Sequence, residues 1–254
     1  GLTALKFTDH LKAEEAEMYL IPLVTQCLAR CLELNEISSL IEKLRVDEEK
    51  QCFLNVYHLV NLELFLEIGI YNIPVEQSYK ELKESGVLDD ISTEYEFARK
   101  LAINFRLLYL RLALFEKAKR YVVKDFPPID TVPDNMFRTI KLLETKLLLL
   151  VHNINIGKSV IKLNEEILTT FFMYKKFFKV NFPAGYPKYL TLKAYHEVLL
   201  YHYKNWKKLP GLKHLKLACK MARKLGNKLA LMRIRKNVEY WFNSATPAIK
   251  EENC

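Results

Sequence analysis

Glycine is scarce in this sequence, and so is any alternation of apolar and polar residues. The 254 residues include only seven glycines, too few for a chain of many hairpin turns or a phosphate-binding loop. No strand pattern of useful length occurs, whereas half of the residues are apolar and Leu, Lys, Glu and Ala dominate many windows. We predict an all-α protein without a sheet, with about ten helices in antiparallel pairs as a solenoid or a compact helical array.

Long apolar runs and a disulfide framework are also lacking. No uncharged apolar run reaches the roughly eighteen residues of a membrane span, and no signal peptide is recognised, so we expect a soluble chain. The five cysteines are odd in number and irregularly spaced, which favours reduced thiols in the cytoplasm or, alternatively, the nucleus. The chain begins with Gly rather than Met, and we expect it to be a piece of a larger protein.

Charge is distributed unevenly along the chain. Residues 1–100 carry ten Lys and Arg against nineteen Asp and Glu, whereas residues 101–254 carry twenty-nine against eleven. The contrast is sharpest over 171–236, where seventeen Lys and Arg accompany a single acidic residue, Glu197. Such an imbalance indicates either an acidic partner for the basic part or its neutralisation by the acidic first hundred residues.

A proline-rich segment divides the predicted helices. Residues 126–134 contain three prolines and read as a connection between an acidic helical subdomain, 1–125, and a basic helical-repeat subdomain, 135–244. A tail, 245–254, follows. One continuous helical domain is the alternative.

Caps and breakers predict where the first helices begin and end. Pro22 is expected to interrupt the first helix, and a second helix to continue through Leu23 and Cys27. A short helix is expected to follow from Ser38 or Ser39. Asp47 is expected to cap the helix after that. The apolar stripe of the next long segment predicts a single helix over about 93–124, the longest of the chain. Its members are Phe97, Leu101, Phe105, Leu108, Leu112 and Phe115.

The chain ends in three closely spaced predicted helices, at about 188–209, 211–226 and 228–243. Short turns force such neighbours to pack against each other. In the first of them Tyr195, Leu199 and Tyr203 recur at four-residue steps, which is typical of an amphipathic helix and less so of a base-stacking platform.

This last part, about 189–243, resembles a tetratricopeptide-type repeat. The run 217–227 is similar to the end of a repeat's second helix, with Ala218 and Ala222 as the small residues where paired helices approach closely. The positions where a repeat's first helix places packing residues are Tyr195, Leu199 and Tyr203. The usual glycine of that helix is absent, and Leu200 stands nearby. Degenerate repeats of this sort resemble the C-terminal helical region of soluble adenylyl cyclases and related signalling ATPases, which implies a regulatory or scaffolding role.

Two partial motifs lack the residues that their chemistry needs. Gly157-Lys158-Ser159 is similar to the tail of a phosphate-binding loop, but His152 stands where the first glycine is required and a helix is predicted before it, so Gly157 is interpreted as a helix stop. His196-Glu197 would begin a zinc-protease signature whose second histidine is missing, since position 200 is Leu.

Cysteine supplies half of a metal site at most. Cys27 and Cys31 lie one helical turn apart, but nothing nearby adds the two further ligands of a tetrahedral zinc, so both are interpreted as packing residues. We predict no catalytic residues, no metal and no cofactor, because no cluster combines a nucleophile, a base and an orienting group. The protein is therefore not expected to be an enzyme.

The candidate binding residues are cations at helical spacing. Four lysines recur at steps of three and four and have no acidic residue in the same helix to relieve their repulsion, namely Lys213, Lys216, Lys220 and Lys224. Arg235 adds positive charge on the final predicted helix. The predicted binding set is Lys213, Lys216, Lys220, Arg223, Lys224, Arg233 and Lys236.

These observations predict a non-catalytic helical interaction or scaffold module that binds an acidic segment of a protein partner through a basic helical face. The alternative is a nucleic-acid-binding helical domain that uses 171–236, with lysines on phosphates and exposed Tyr or Phe of 171–203 on bases. A solvated face without a partner is the third interpretation.

Overall fold

The structure is a computed structural model, and it describes residues 14–46, 51–69, 75–86, 96–121, 133–204 and 211–242. Every regular element in these ranges is helical, which confirms the predicted all-α class without a sheet. None of the helices described is both long enough and apolar enough to cross a membrane. Contacts divide the chain into two compact units, the first formed by the described residues up to Leu108 together with Tyr121, and the second by the remainder.

The first unit is built around α3. Its described helices are α1 (Glu14–Cys31), α2 (Leu34–Val46), α3 (Gln51–Ile68), α4 (Val75–Glu84) and most of α5 (Glu96–Arg111). α3 contacts α1, α2 and α4. Its described side chains are buried or half-buried on every side, as expected of a central helix. The main core side chains are Ile21, Val24, Ile37, Ile41, Val56, Val60 and Leu64.

The second unit is built around α9. Its described helices are α6 (Phe115–Ala118), α7 (Pro133–Asn155), α8 (Ile161–Val180), α9 (Tyr186–Lys204), α10 (Leu212–Lys224) and α11 (Lys228–Phe242), with a 3₁₀ turn at Pro183–Gly185. α9 contacts α7, α8, α10 and α11, and α10 also contacts α11. The three final helices thus form as predicted, although residues 205–210 lie outside the described part.

Aromatic side chains hold α8 against α9. The Tyr189 hydroxyl donates to the carbonyl oxygen of Phe171 at 2.5 Å, and the rings of Phe178 and Tyr189 stack with their centroids 5.0 Å apart. α10 begins just after Gly211, whose φ of +95° belongs to the left-handed region. A Cβ at this position would lie 2.9 Å from the carbonyl oxygen of Ala194, so the close approach of α9 requires glycine.

Two predictions about the first helices are wrong. α1 runs through Pro22 without a break, because buried Ile21 and Val24 on either side of the proline pack into the core and outweigh the local loss of a backbone hydrogen bond. α2 begins at Leu34 rather than at a serine, and the Ser38 hydroxyl donates to the Leu34 carbonyl inside the helix. The predicted cap Asp47 lies outside the described residues.

The predicted long helix over 93–124 is also wrong. α5 ends at Arg111, and the chain turns through Ala113 at φ +57° before α6. The amides of Ala113 and Leu114 donate to the carbonyls of Leu110 and Tyr109 at 3.1 and 2.8 Å, the pattern of a helix C-terminus that normally uses glycine. Leu112 is consequently 56% exposed rather than part of a continuous apolar stripe. The longest described helix is α7 instead.

The predicted helix stop at Gly157 falls close to the end observed, since α7 ends at Asn155, two residues before it. The proline-rich connection at 126–134 lies outside the described residues except for its last two positions, which begin α7.

Candidate functional site

The cations of α10 share one side of the helix. Lys213, Lys216, Lys220, Arg223 and Lys224 are all exposed. The opposite side is buried and consists of Leu215, Ala218, Cys219 and Ala222. The helical period therefore separates an apolar face from a cationic one, which we call the α10 ridge and define by its five Lys and Arg.

The α10 ridge carries its charge with little local compensation. α10 contains no acidic residue, and neighbours at three or four positions repel each other by a few tenths of a kcal/mol per pair. None of the five cations forms an ion pair with a carboxylate of the described residues. The ridge extends from Lys213 to Lys224, about 16 Å along the helix axis at 1.5 Å per residue.

A carboxylate on α9 lies at the N-terminal end of this ridge. Glu197 Oε1 is 3.0 Å from His214 Nε2, near the positive end of the α10 dipole, where an anion is stabilised. Burial raises the pKa of Glu197, but the hydrogen bond from His214 and the charges of His214, Lys213 and Lys193 together lower it further than burial raises it. The charge of Lys213 is thus partly compensated, whereas none of the carboxylates that the structure describes forms an ion pair with Lys220 or Lys224.

α11 adds exposed cations, but one of the binding residues predicted on this helix is not fully exposed. Arg235 and Lys236 are exposed, on the same side as Glu239. Arg233 is half-buried and takes part in interactions of its own. We therefore regard Arg233 as a weaker candidate than the α10 ridge and Lys236.

Most aromatic residues of the basic stretch are in the core. Phe171, Tyr174, Phe177, Phe178 and Tyr189 are buried. Tyr195 is half-buried and stacks on Trp241 with ring centroids 5.5 Å apart. Phe172 and Tyr203 are the large aromatic side chains of 171–203 that remain exposed. Base stacking would therefore depend on few of the aromatic residues that the sequence offers.

The described histidines and cysteines do not converge on a metal centre. In the part of the chain that the structure describes, no group of three or more His, Cys, Asp or Glu could hold a metal ion. Cys27 is exposed, and Cys31 is half-buried. His196 Nε2 lies 2.8 Å from Asn164 Oδ1, which gives this histidine a structural partner.

The first unit contains a small cavity. It is lined by residues of α1 and α3 that include Pro22, Gln26, Glu63 and Glu67, and its volume of about 10 Å³ is room for one water molecule at most. Gln26 Nε2 donates to Glu63 Oε2 at 2.6 Å, and Asn104 Nδ2 lies 3.4 Å from Glu63 Oε1. This geometry gives a buried carboxylate its hydrogen-bond donors and leaves no space for a substrate.

Sequence reasoning missed two features of the second unit. The approach of Glu197 to His214 joins different helices, so helical periodicity could not show it. The exposure of Phe172 and Met173 could have been inferred, because in the run Phe171-Phe172-Met173-Tyr174 only one pair can face the core of a one-sided helix.

In comparisons with protein-family models, curated proteins and solved structures, nothing matches the chain. The tetratricopeptide resemblance stays a prediction.

Proposed function

We propose that the chain is a non-catalytic helical interaction module whose α10 ridge binds an acidic segment of a protein partner, with Lys236 as an additional contact. The observation that carries the proposal is a row of five exposed cations on one helix face without an ion pair to any described carboxylate. Such a row costs electrostatic free energy in the isolated chain, and an acidic ligand would recover it.

Folding alone does not explain the ridge. The apolar side of α10 supplies its burial, and uncharged or mixed polar residues on the other side would avoid the repulsion. Rows of exposed cations favour rapid association with anionic partners, and the association weakens as salt screens the charges.

A binding assay tests the proposal. A fluorescently labelled oligoglutamate peptide is titrated with the chain at low and high salt, and the anisotropy is measured. The test variant replaces Lys213, Lys216, Lys220 and Lys224 with Gln. The control variant has the same net charge and replaces exposed Lys80, Lys83, Lys158 and Lys162 with Gln. We expect the first set to weaken binding at least about tenfold, or roughly 1.4 kcal/mol, and the second set to change it little.

Equal losses in the two variants would mean that only net charge matters and would refute a specific α10 site.

A second candidate function, nucleic-acid binding, is favoured by the exposed aromatic residues Phe172 and Tyr203. It predicts that a single-stranded oligonucleotide binds more tightly than the peptide and that Tyr203→Ala weakens this binding, since base stacking contributes about 1–3 kcal/mol.

A further inference from the structure

A second surface of the same unit combines exposed apolar side chains with lysines. On the last two thirds of α8, Phe172 is 85% exposed, Val180 63%, Met173 50% and Leu168 48%. Exposed lysines lie among them, namely Lys175, Lys176 and Lys179. We call these seven residues the α8 face. Contiguous apolar side chains in water are unfavourable and often mark a surface that a partner covers.

The core already uses the other side of α8. Phe171, Tyr174, Phe177 and Phe178 are buried there, and the Tyr189 hydroxyl hydrogen-bonds to the Phe171 carbonyl. Rotation of the helix to bury Phe172 would expose these four aromatic side chains instead. The α8 face is therefore held outward by the fold, on a helix anchored by its own core, which is the form of a pre-organised binding surface.

Charge is polarised along α8. No acidic residue occurs between 167 and 180, and no described carboxylate pairs with Lys175, Lys176 or Lys179. Glu165 and Glu166 lie nearer the N-terminus, on the exposed side, and Glu166 Oε2 is 2.7 Å from Lys146 Nζ. Lys162 is also exposed at this end, so the exposed side carries mixed charges near its N-terminus and only positive charges about 15–20 Å further along.

This polarity and the apolar side chains select one kind of occupant. A flat anionic membrane or a nucleic-acid strand would place negative charge against Glu165 as well as against the lysines. An amphipathic helix can carry carboxylates at one end only and cover the apolar side chains with its own. Met173 provides a flexible, adaptable contact for such a helix.

We propose that the α8 face binds an amphipathic, acidic helix of a partner protein, with its apolar stripe on Leu168, Phe172 and Met173 and its carboxylates on Lys175, Lys176 and Lys179. The site lies on a different helix from the α10 ridge. It requires apolar burial, which the oligoglutamate peptide cannot supply. Either surface can therefore fail its test without the other.

Selection from a peptide library tests the proposal. The probe is a display library of peptides of about 18 residues, a length that matches α8 at 1.5 Å per residue, with leucines fixed at one helical stripe and with Glu, Lys and Ser varied at the flanking positions. The whole chain is the target. We expect the selected peptides to carry Glu at the end of the stripe that faces Lys175, Lys176 and Lys179.

Matched variants locate the binding. Phe172→Ser, and separately the triple change of Lys175, Lys176 and Lys179 to Glu, should each weaken a selected peptide at least about tenfold. The control is Tyr240→Ser, because Tyr240 is 88% exposed on α11 and should not matter. Replacement of the α10 ridge lysines with Gln should also leave this peptide bound. Circular dichroism should show the same thermal midpoint for Phe172→Ser as for the parent chain, since the ring makes little contact.

Two outcomes would overturn the proposal. One is selection of peptides with no charge preference, or with binding that survives Phe172→Ser. The other is Phe172-dependent binding to phosphatidylcholine–phosphatidylserine vesicles or to an oligonucleotide in place of the peptides, which would assign the face to lipid or to nucleic acid.

Discussion

α3 in the first unit and α10 in the second place their charged residues in opposite ways. α3 carries Glu63 into the interior, where it is 6% exposed and accepts a hydrogen bond from Gln26. α10 carries only cations, and all five Lys and Arg point into solvent without a described carboxylate as an ion-pair partner. In α3 the chain itself supplies the hydrogen bonds that a buried carboxylate needs, whereas in α10 water solvates the exposed cations and no described carboxylate pairs with them.

The difference predicts that removal of the buried charge of α3 destabilises the first unit, whereas removal of a charge from the α10 ridge does not destabilise the second. A buried charge and its hydrogen-bonding neighbours depend on each other, because removal of either leaves the other buried without a partner and the cost of its desolvation uncompensated. Exposed like charges repel, and removal of one relieves its neighbours. The four predictions below run from the largest expected effect to the smallest.

Glu63→Ala should reduce the free energy of unfolding by about 3 kcal/mol, since the change leaves the amides of Gln26 and Asn104 without their acceptor. It also removes a charge near Arg30. Burial lowers the pKa of Arg30, and the carboxylates of Glu67 and Glu63 oppose that shift. Urea denaturation followed by circular dichroism measures the loss. The matched control is Glu165→Ala, since Glu165 is an exposed residue of α8, and the expected change is within about 0.5 kcal/mol. A loss as small as the control's would contradict the view of Glu63 as a structural carboxylate.

Gly211→Ala should destabilise the second unit by about 2 kcal/mol or more. An added Cβ would lie 2.9 Å from the Ala194 carbonyl oxygen, and the residue has φ +95°, so overpacking adds to backbone strain. Gly157→Ala is the control, because its φ is +67° but no atom lies within 4 Å of the added Cβ. Strain alone should then cost about 1 kcal/mol. Thermal denaturation compares the two, and equal losses would rule out a steric contribution from α9.

Acidification should weaken the contact of α3 with α4 before it affects Glu197. His58 Nε2 lies 2.9 Å from Glu81 Oε2, and burial lowers the pKa of His58 even though the Glu81 carboxylate raises it. The unfolded chain therefore takes up the proton first, and stability present above the ordinary histidine pKa of about 6.5 is lost as pH falls below it. The pKa of Glu197 is lowered, so its contribution is present above the ordinary glutamate pKa and is lost only as pH falls below that value.

Hydrogen exchange of α3 and α4 measures this difference between pH 7 and 5, after correction for the intrinsic exchange rate. Protection should fall with pH in the parent chain, and the fall should be smaller in His58→Gln, which cannot titrate in this range. The same pH dependence in both proteins would show that another group is responsible.

Helical period was sufficient to predict the all-α class and the one-sided character of α10, because both depend on local spacing. It failed where local signals and tertiary contacts disagree. Pro22 predicts a helix break, which the burial of neighbouring side chains prevents. Ala113 adopts a left-handed backbone conformation that alanine rarely takes, so its residue type does not predict the turn. The burial of Glu63 was also beyond prediction, since its donors Gln26 and Asn104 are distant in sequence. Contacts between helices, and hence the partners of charged groups, are not encoded in a period.

Replacement of a single ridge lysine should have the smallest effect, but its sign is informative. Lys220 has Lys216, Arg223 and Lys224 at neighbouring helical positions, so Lys220→Gln should raise the free energy of unfolding by a few tenths of a kcal/mol. Lys80→Gln is the opposite case, since Lys80 Nζ lies 3.8 Å from Glu84 Oε1, and it should lower stability by about as much.

Thermal midpoints at low salt measure both effects, and replacement of Lys216 and Lys220 together enlarges the gain. Salt should shrink the two changes toward zero, because both arise from exposed charges. A loss of stability in Lys220→Gln would mean that the fold itself uses this lysine. A gain would mean that the α10 ridge persists at the expense of stability, which is the behaviour expected of side chains kept for binding rather than for folding.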